Sequence, residues 1–178
     1  MAAGEYLPGP ASGARVEKDG ERWTLILVRE LRHPPEKVWL ALTEPAHLRE
    51  WAPFEADANL GAAGPVRLTW AATSHVSETK VTRAEAPRVL EYCDMRWELE
   101  PIRSGTRLTL WHRIDCRFIA WGAAGWHICF DVMDRLLKEA PLGRLVGPAA
   151  LQHGGWKRLC AEYAEQFGGE NPAGQEKA

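Results

Sequence analysis

Six histidines and four cysteines are the residues best suited to chemistry in this chain, and their spacing restricts what that chemistry can be. The histidines never fall at ligand spacing on one helix face, and Cys93, Cys116, Cys129 and Cys160 form no C-x-x-C pair. The expectation is no metal site, no dithiol redox motif and no cofactor, with the cysteines as free buried thiols. No H-E-x-x-H, Walker loop, G-x-G-x-x-G or G-x-S-x-G occurs. His47 reads as exposed, and His33 and His153 as turn or linker residues. His75 is either an exposed loop histidine near Glu78 or a group at a cavity mouth. His127 stands four residues before Asp131, the spacing of a pair on the wet face of a helix. His112 differs, because it alternates with apolar residues in the strand-like run Thr106–Cys116 and shares a face with Leu108, Leu110 and Ile114. It is either a hydrogen-bonded core histidine or the polar anchor of a pocket. Glu98 and Glu100 share a solvent face, and Asp57 and Asp94 fall at strand ends. General acid–base work needs two groups within reach of one substrate atom, and no such dyad is visible, so catalytic residues stay unassigned.

Nine tryptophans among 178 residues supply the apolar counterpart. Core packing accounts for most of them, and an aromatic-lined pocket is the alternative. The positions expected to surround an internal cavity are Trp70, Trp97, Leu110, His112, Trp126, Phe130 and Met133.

These residues need a sheet and a helix to hold them. Asp19-Gly20 between Gly13–Glu17 and Arg22–Leu31 signals a hairpin. In its second strand Trp23, Leu25, Leu27 and Leu31 share one face, with Arg29 as the exception. Pro34-Pro35 and Pro45 each open a short helix, where the missing N–H costs nothing. Strand-like runs follow over 54–59, 66–70, 78–84, 89–93, 95–100 and 106–116. Met95, Trp97 and Leu99 alternate with Arg96, Glu98 and Glu100, as in a sheet with one wet face. A long helix is expected over 121–140, ended by Pro141, with Trp126, Phe130, Met133 and Leu137 on one side. Residues 141–155 read as a linker. A last amphipathic helix over 156–167 needs a surface to cover, on its own domain or on a second subunit as a homodimer. Residues 1–12 and 168–178 read as disordered. One domain, spanning 13–140, is the simplest organisation.

Strands followed by helices on one face give an α+β fold. The run R-x-L-x-x-P-P-E-x-V-W-x-A-L-T-x-P-x-x-L-x-x-W, from Arg29 to Trp51, resembles the START-like (SRPBCC) superfamily. It is most similar to the group named after the activator of the heat-shock-protein-90 ATPase. The stretches GTRLTLWH (105–112) and GWHICFDVMDRLL (125–137) agree. The resemblance implies the helix-grip fold, a curved antiparallel sheet around a long C-terminal helix, with two short helices closing one end and often a ligand cavity between. It also implies a chaperone partner as one reading of function.

Charge adds exclusions. With 22 basic and 24 acidic residues the net charge is −2, so there is no basic footprint for nucleic acid and no general pull toward anionic membranes. No signal-peptide pattern opens the chain, and no apolar run approaches the ~20 residues of a membrane span. A cytoplasmic protein is expected. Three functions stay open: binding of a hydrophobic or aromatic small molecule, a chaperone co-factor or protein-interaction role, and a cyclase- or hydrolase-like activity on a small polyketide-like compound. A closed core, a deep apolar cavity and a cavity with convergent polar groups would separate them.

Overall fold

The two prolines at 34 and 35 stop the second strand and start a helix, and much of the architecture follows from that corner. In the computed structural model, which describes residues 6–152 and 154–168, β1 (Ala14–Asp19) and β2 (Arg22–Leu31) form the expected hairpin. Helices α1 (Pro35–Thr43) and α2 (Pro45–Trp51) follow, each with proline in its first turn. Then come β3 (Phe54–Ala56), β4 (Gly64–Trp70), β5 (Val76–Glu85), β6 (Val89–Tyr92), β7 (Met95–Ile102) and β8 (Gly105–Arg113). A 3-10 turn at Cys116–Phe118 leads into the long helix α3 (Ile119–Leu137). Helices α4 (Pro148–Gln152) and α5 (Gly154–Gln166) end the described chain.

All eight strands join one antiparallel sheet in the order β1-β2-β8-β7-β6-β5-β4-β3. The only large jump, from β2 to β8, brings the two strands into register through Leu25↔His112 and Leu27↔Leu110. The sheet curls around α3, giving the α+β helix-grip architecture. Two positions show how tightly the corners are drawn. Gly105 has φ +143°, and a Cβ there would lie 2.2 Å from the Leu31 carbonyl oxygen. Cys93 and Asp94 both have positive φ, so they make the β6–β7 turn without a longer loop.

Burial follows the alternation. Leu25, Leu27 and Leu31 of β2, Met95, Trp97 and Leu99 of β7, and Leu108 and Leu110 of β8 face inward against Trp126, Phe130, Met133 and Leu137 of α3. Arg29, on that same inward face, bonds Asp131 of α3. Partial burial is tolerable for the guanidinium because an opposite charge and a hydrogen bond meet it together.

Several polar residues sit elsewhere than their sequence context indicates. His127 is buried, 2.7 Å from the Tyr163 hydroxyl. The side of α3 that carries it is not wet, because α5 packs there. Trp156, Leu159, Cys160 and Tyr163 are the buried stripe of α5, covered within the chain. Residues 6–12 are not a loose end: Tyr6 bonds Asp131, the Ala11 N–H donates to Glu162, and the Tyr163 hydroxyl donates to the Ser12 carbonyl. The stretch expected as a linker contains α4 and the start of α5. His33 is buried beside Asp134 at 3.2 Å, and His47 is half-buried, its Nδ1 without a partner among the described residues. His153, residues 1–5 and the tail from 169 lie outside the described residues.

Candidate ligand cavity

Helix α3 changes character along its length. Its C-terminal half carries bulky side chains, and that half fills the sheet. Its N-terminal half contains Gly122, Ala123, Ala124 and Gly125, where little protrudes. A Cβ on Gly125 would meet nothing within 4 Å. Under this small-residue stretch lies an apolar cavity of about 620 Å³, within the ordinary size for small-molecule sites.

Four segments build its walls. Helix α3 supplies Trp121, Gly125, Trp126 and Cys129, and the end of β8 with the residues after it supplies His112, Ile114 and Phe118. Trp70 closes the β4 side, its Nε1–H donating to Ser77 Oγ at 3.0 Å. Leu145, Val146, Gly147 and Ala150, from the segment that links α3 to α5, and Trp156 of α5 roof the space. Gly147, at φ +56°, lets this roof approach the Ala72 backbone, where a Cβ would stand 3.0 Å from Ala72 Cα. Phe118, Trp121 and Leu151 remain exposed at the rim, and exposed His75 stands there with them.

Of the sequence-derived cavity candidates, Trp70, His112 and Trp126 come together on this cavity. Trp97, Leu110, Phe130 and Met133 do not line it. They pack the filled half of the core, where Trp97 makes edge contacts with Trp51 and Trp126 at 6.3 and 5.5 Å. Trp97 Nε1 is buried with no hydrogen-bond partner among the described residues. Trp121, Gly125, Ile114, Leu145 and Trp156 line the cavity without having been anticipated. The run of four small residues inside an otherwise bulky amphipathic helix is the signal that could have found the site. The roof has no comparable signature.

The chemistry of the walls is sparse. His112, His75 and Cys129 are the titratable groups among the lining residues. Burial pushes the Cys129 thiol up to about 12, so it is neutral and a poor nucleophile near pH 7. Burial also lowers His112 to about 4, with Asp94 opposing weakly, so the ring is neutral near pH 7. The Trp126 indole N–H donates to His112 Nδ1 at 3.0 Å. Among the described residues no group of three His, Cys, Asp or Glu side chains could hold a metal. The groove around Arg96, Glu98, Trp111 and Arg113 is larger and polar, lined by side chains of both charge signs.

A sheet curled around one long helix, with two short helices at one end and an apolar space beside the helix, defines a helix-grip domain of START-like type. The chain belongs to the family described as activator of Hsp90 ATPase homolog 1-like proteins, whose model matches residues 32–138. No curated protein matches the sequence. Solved structures share the fold. A protein from Mesorhizobium loti is 24% identical with a TM-score of 0.58, the match covering 67% of this chain and 99% of that one. A conserved protein of unknown function from Enterococcus faecalis is 16% identical with a TM-score of 0.65, covering 86% and 89%. CalU16 from Micromonospora echinospora is 19% identical with a TM-score of 0.60, covering 86% and 93%. No described helix is long and apolar enough to cross a membrane.

Proposed function

We propose that this protein binds a hydrophobic, aromatic small molecule in the cavity beside the N-terminal half of α3. The observation that carries the reading is the combination of about 620 Å³ of apolar space with a half-buried imidazole, His112, on its wall. Apolar walls supply affinity and a few placed polar groups supply orientation. Binding is favoured over catalysis because hydrolysis or cyclisation by general acid–base chemistry needs two groups convergent on one atom. Here the thiol is held protonated, and His75 stands at the exposed rim. Four cysteines without disulfides support the cytoplasm as the place of action.

The test is native mass spectrometry of the purified protein, followed by titration with the uncharged fluorophore 1-aminoanthracene. The expected result is saturable binding at one site, lost when Gly125→Phe fills the cavity. Saturable binding that survives Gly125→Phe unchanged would place the ligand elsewhere and refute the assignment.

A further inference from the structure

His112, the half-buried imidazole on the cavity wall, is held in a defined hydrogen-bonding state. A neutral imidazole has one nitrogen that donates and one that accepts. An indole N–H can only donate, so the Trp126 contact at 3.0 Å requires His112 Nδ1 to be the acceptor. The proton then resides on Nε2, which makes no hydrogen bond among the described residues and is not a fully buried atom. The ring itself lines the cavity. We infer that Trp126 is a positioning residue that locks His112 as an Nε2–H donor, and that the site selects uncharged aromatic ligands bearing a hydrogen-bond acceptor, such as a ketone, over carboxylates. This rests on the cavity reading above and specifies its ligand class.

Charge around the site supports the selection. No Lys, Arg, Asp or Glu lines the cavity. The charges acting on its wall come from outside it. Asp94 acts on His112, and this carboxylate repels an anion. Arg144 acts on Cys129 but does not line the cavity; its Nη2 is bonded to Glu55 at 3.1 Å, and its buried Nη1 has no partner among the described residues. A carboxylate entering the cavity would therefore lose its water without meeting a cation on the cavity wall, which is costly. A carbonyl oxygen would lose less and gain the Nε2–H. A cationic amine would find the imidazole's only acceptor nitrogen already taken.

The experiment uses three matched probes on the full chain at pH 7, by isothermal titration calorimetry: 2-acetylnaphthalene, 2-ethylnaphthalene and 2-naphthoate. The ketone should bind about fivefold tighter than the ethyl compound, the effect of one neutral hydrogen bond. The carboxylate should bind at least about a hundredfold more weakly than the ketone. His112→Leu should remove the preference for the ketone over the ethyl compound while retaining both, and His112→Gln, which keeps a donor, should restore part of it. Long-range ¹H–¹⁵N spectra of the imidazole should show the Nε2–H tautomer in the native protein and a mixture in Trp126→Phe. A carboxylate that binds as well as the ketone, or an Nδ1–H tautomer in the native protein, would overturn the inference and leave the cavity in place. Failure of all three probes to bind would instead overturn the cavity reading, and the inference with it.

Discussion

Gly125 offers the sharpest test of where the space in this molecule lies. A glycine inside a helix costs roughly 0.5–1 kcal/mol relative to alanine, because the unfolded chain has more freedom to lose. A Cβ at this position has no neighbour within 4 Å, so Gly125→Ala meets no steric penalty. The gain should therefore appear almost in full, about 1 kcal/mol. For a chain of this length that is a rise in Tm of roughly 2–4 °C. Phenylalanine at 125 should also be tolerated, because the ring enters the cavity beside Trp126 and Cys129. A filled core gives the opposite outcome, since overpacking costs typically 1–3 kcal/mol. Gly122, one turn earlier, is the internal control: a Cβ there would approach Ile114 Cδ1 to 2.7 Å, so Gly122→Ala should gain less. Thermal and urea unfolding of the three variants, with 1-aminoanthracene binding measured in parallel, is the assay. Gly125→Ala that lowers Tm, or Gly125→Phe that unfolds the protein, would refute the placement of the cavity.

Phe130, 1% exposed and away from the cavity, should cost about 3–5 kcal/mol on replacement by alanine, read as a lower urea midpoint, with the cavity still able to bind its probe. Tyr163→Phe leaves His127 Nδ1 and the Ser12 backbone without their shared partner, and should cost about 1–3 kcal/mol with little effect on probe binding. The pH dependence of stability has a definite sign. His112 has a folded value of about 4, below its ordinary 6.5, so the unfolded chain binds the proton first. Its contribution is complete above pH ~6.5 and is lost as pH falls toward 4, up to about 3 kcal/mol in all. The buried His127 is shifted in the same direction, mainly by desolvation. Unfolding free energies at pH 7 and pH 4.5 should differ less in His112→Leu than in the native protein.

Much of the fold is legible in the sequence because its signals are periodic. The inward stripe of Trp126, Phe130, Met133 and Leu137 and the alternation of Met95, Trp97 and Leu99 announce one helix on one sheet, and burial follows both. His112 falls on the inner face by the same parity. Periodicity distinguishes apolar from polar faces, but it does not say what covers a polar one. His127 and Asp131 stand on a polar face that α5 and residues 6–12 close through hydrogen bonds, so they read as wet while being buried or nearly so. His33 is similar, hidden against Asp134, a hundred residues away in the chain. The cavity was legible only in part. Alternation identifies residues that face inward, and Trp97 and Trp70 both do. Whether the space before them is filled depends on the bulk opposite, which is large at Phe130 and absent at Gly125. The roof from Leu145 to Ala150 is placed by tertiary contact alone.

The strap made by residues 6–12 has a consequence for the order in which the molecule can be completed. Ala11 and Ser12 bond Glu162 and Tyr163, 151 residues further along. A chain made from its N-terminus exposes this segment long before α5 exists. Until then α3 has the sheet and helices α1 and α2 against it but not α5, and the carboxylate of Asp131 has Arg29 but not Tyr6. Contacts of this sequence separation are expensive in loop entropy and form late. The seating of residues 6–12 and α5 on the back of α3 should therefore follow formation of the sheet that grips its front.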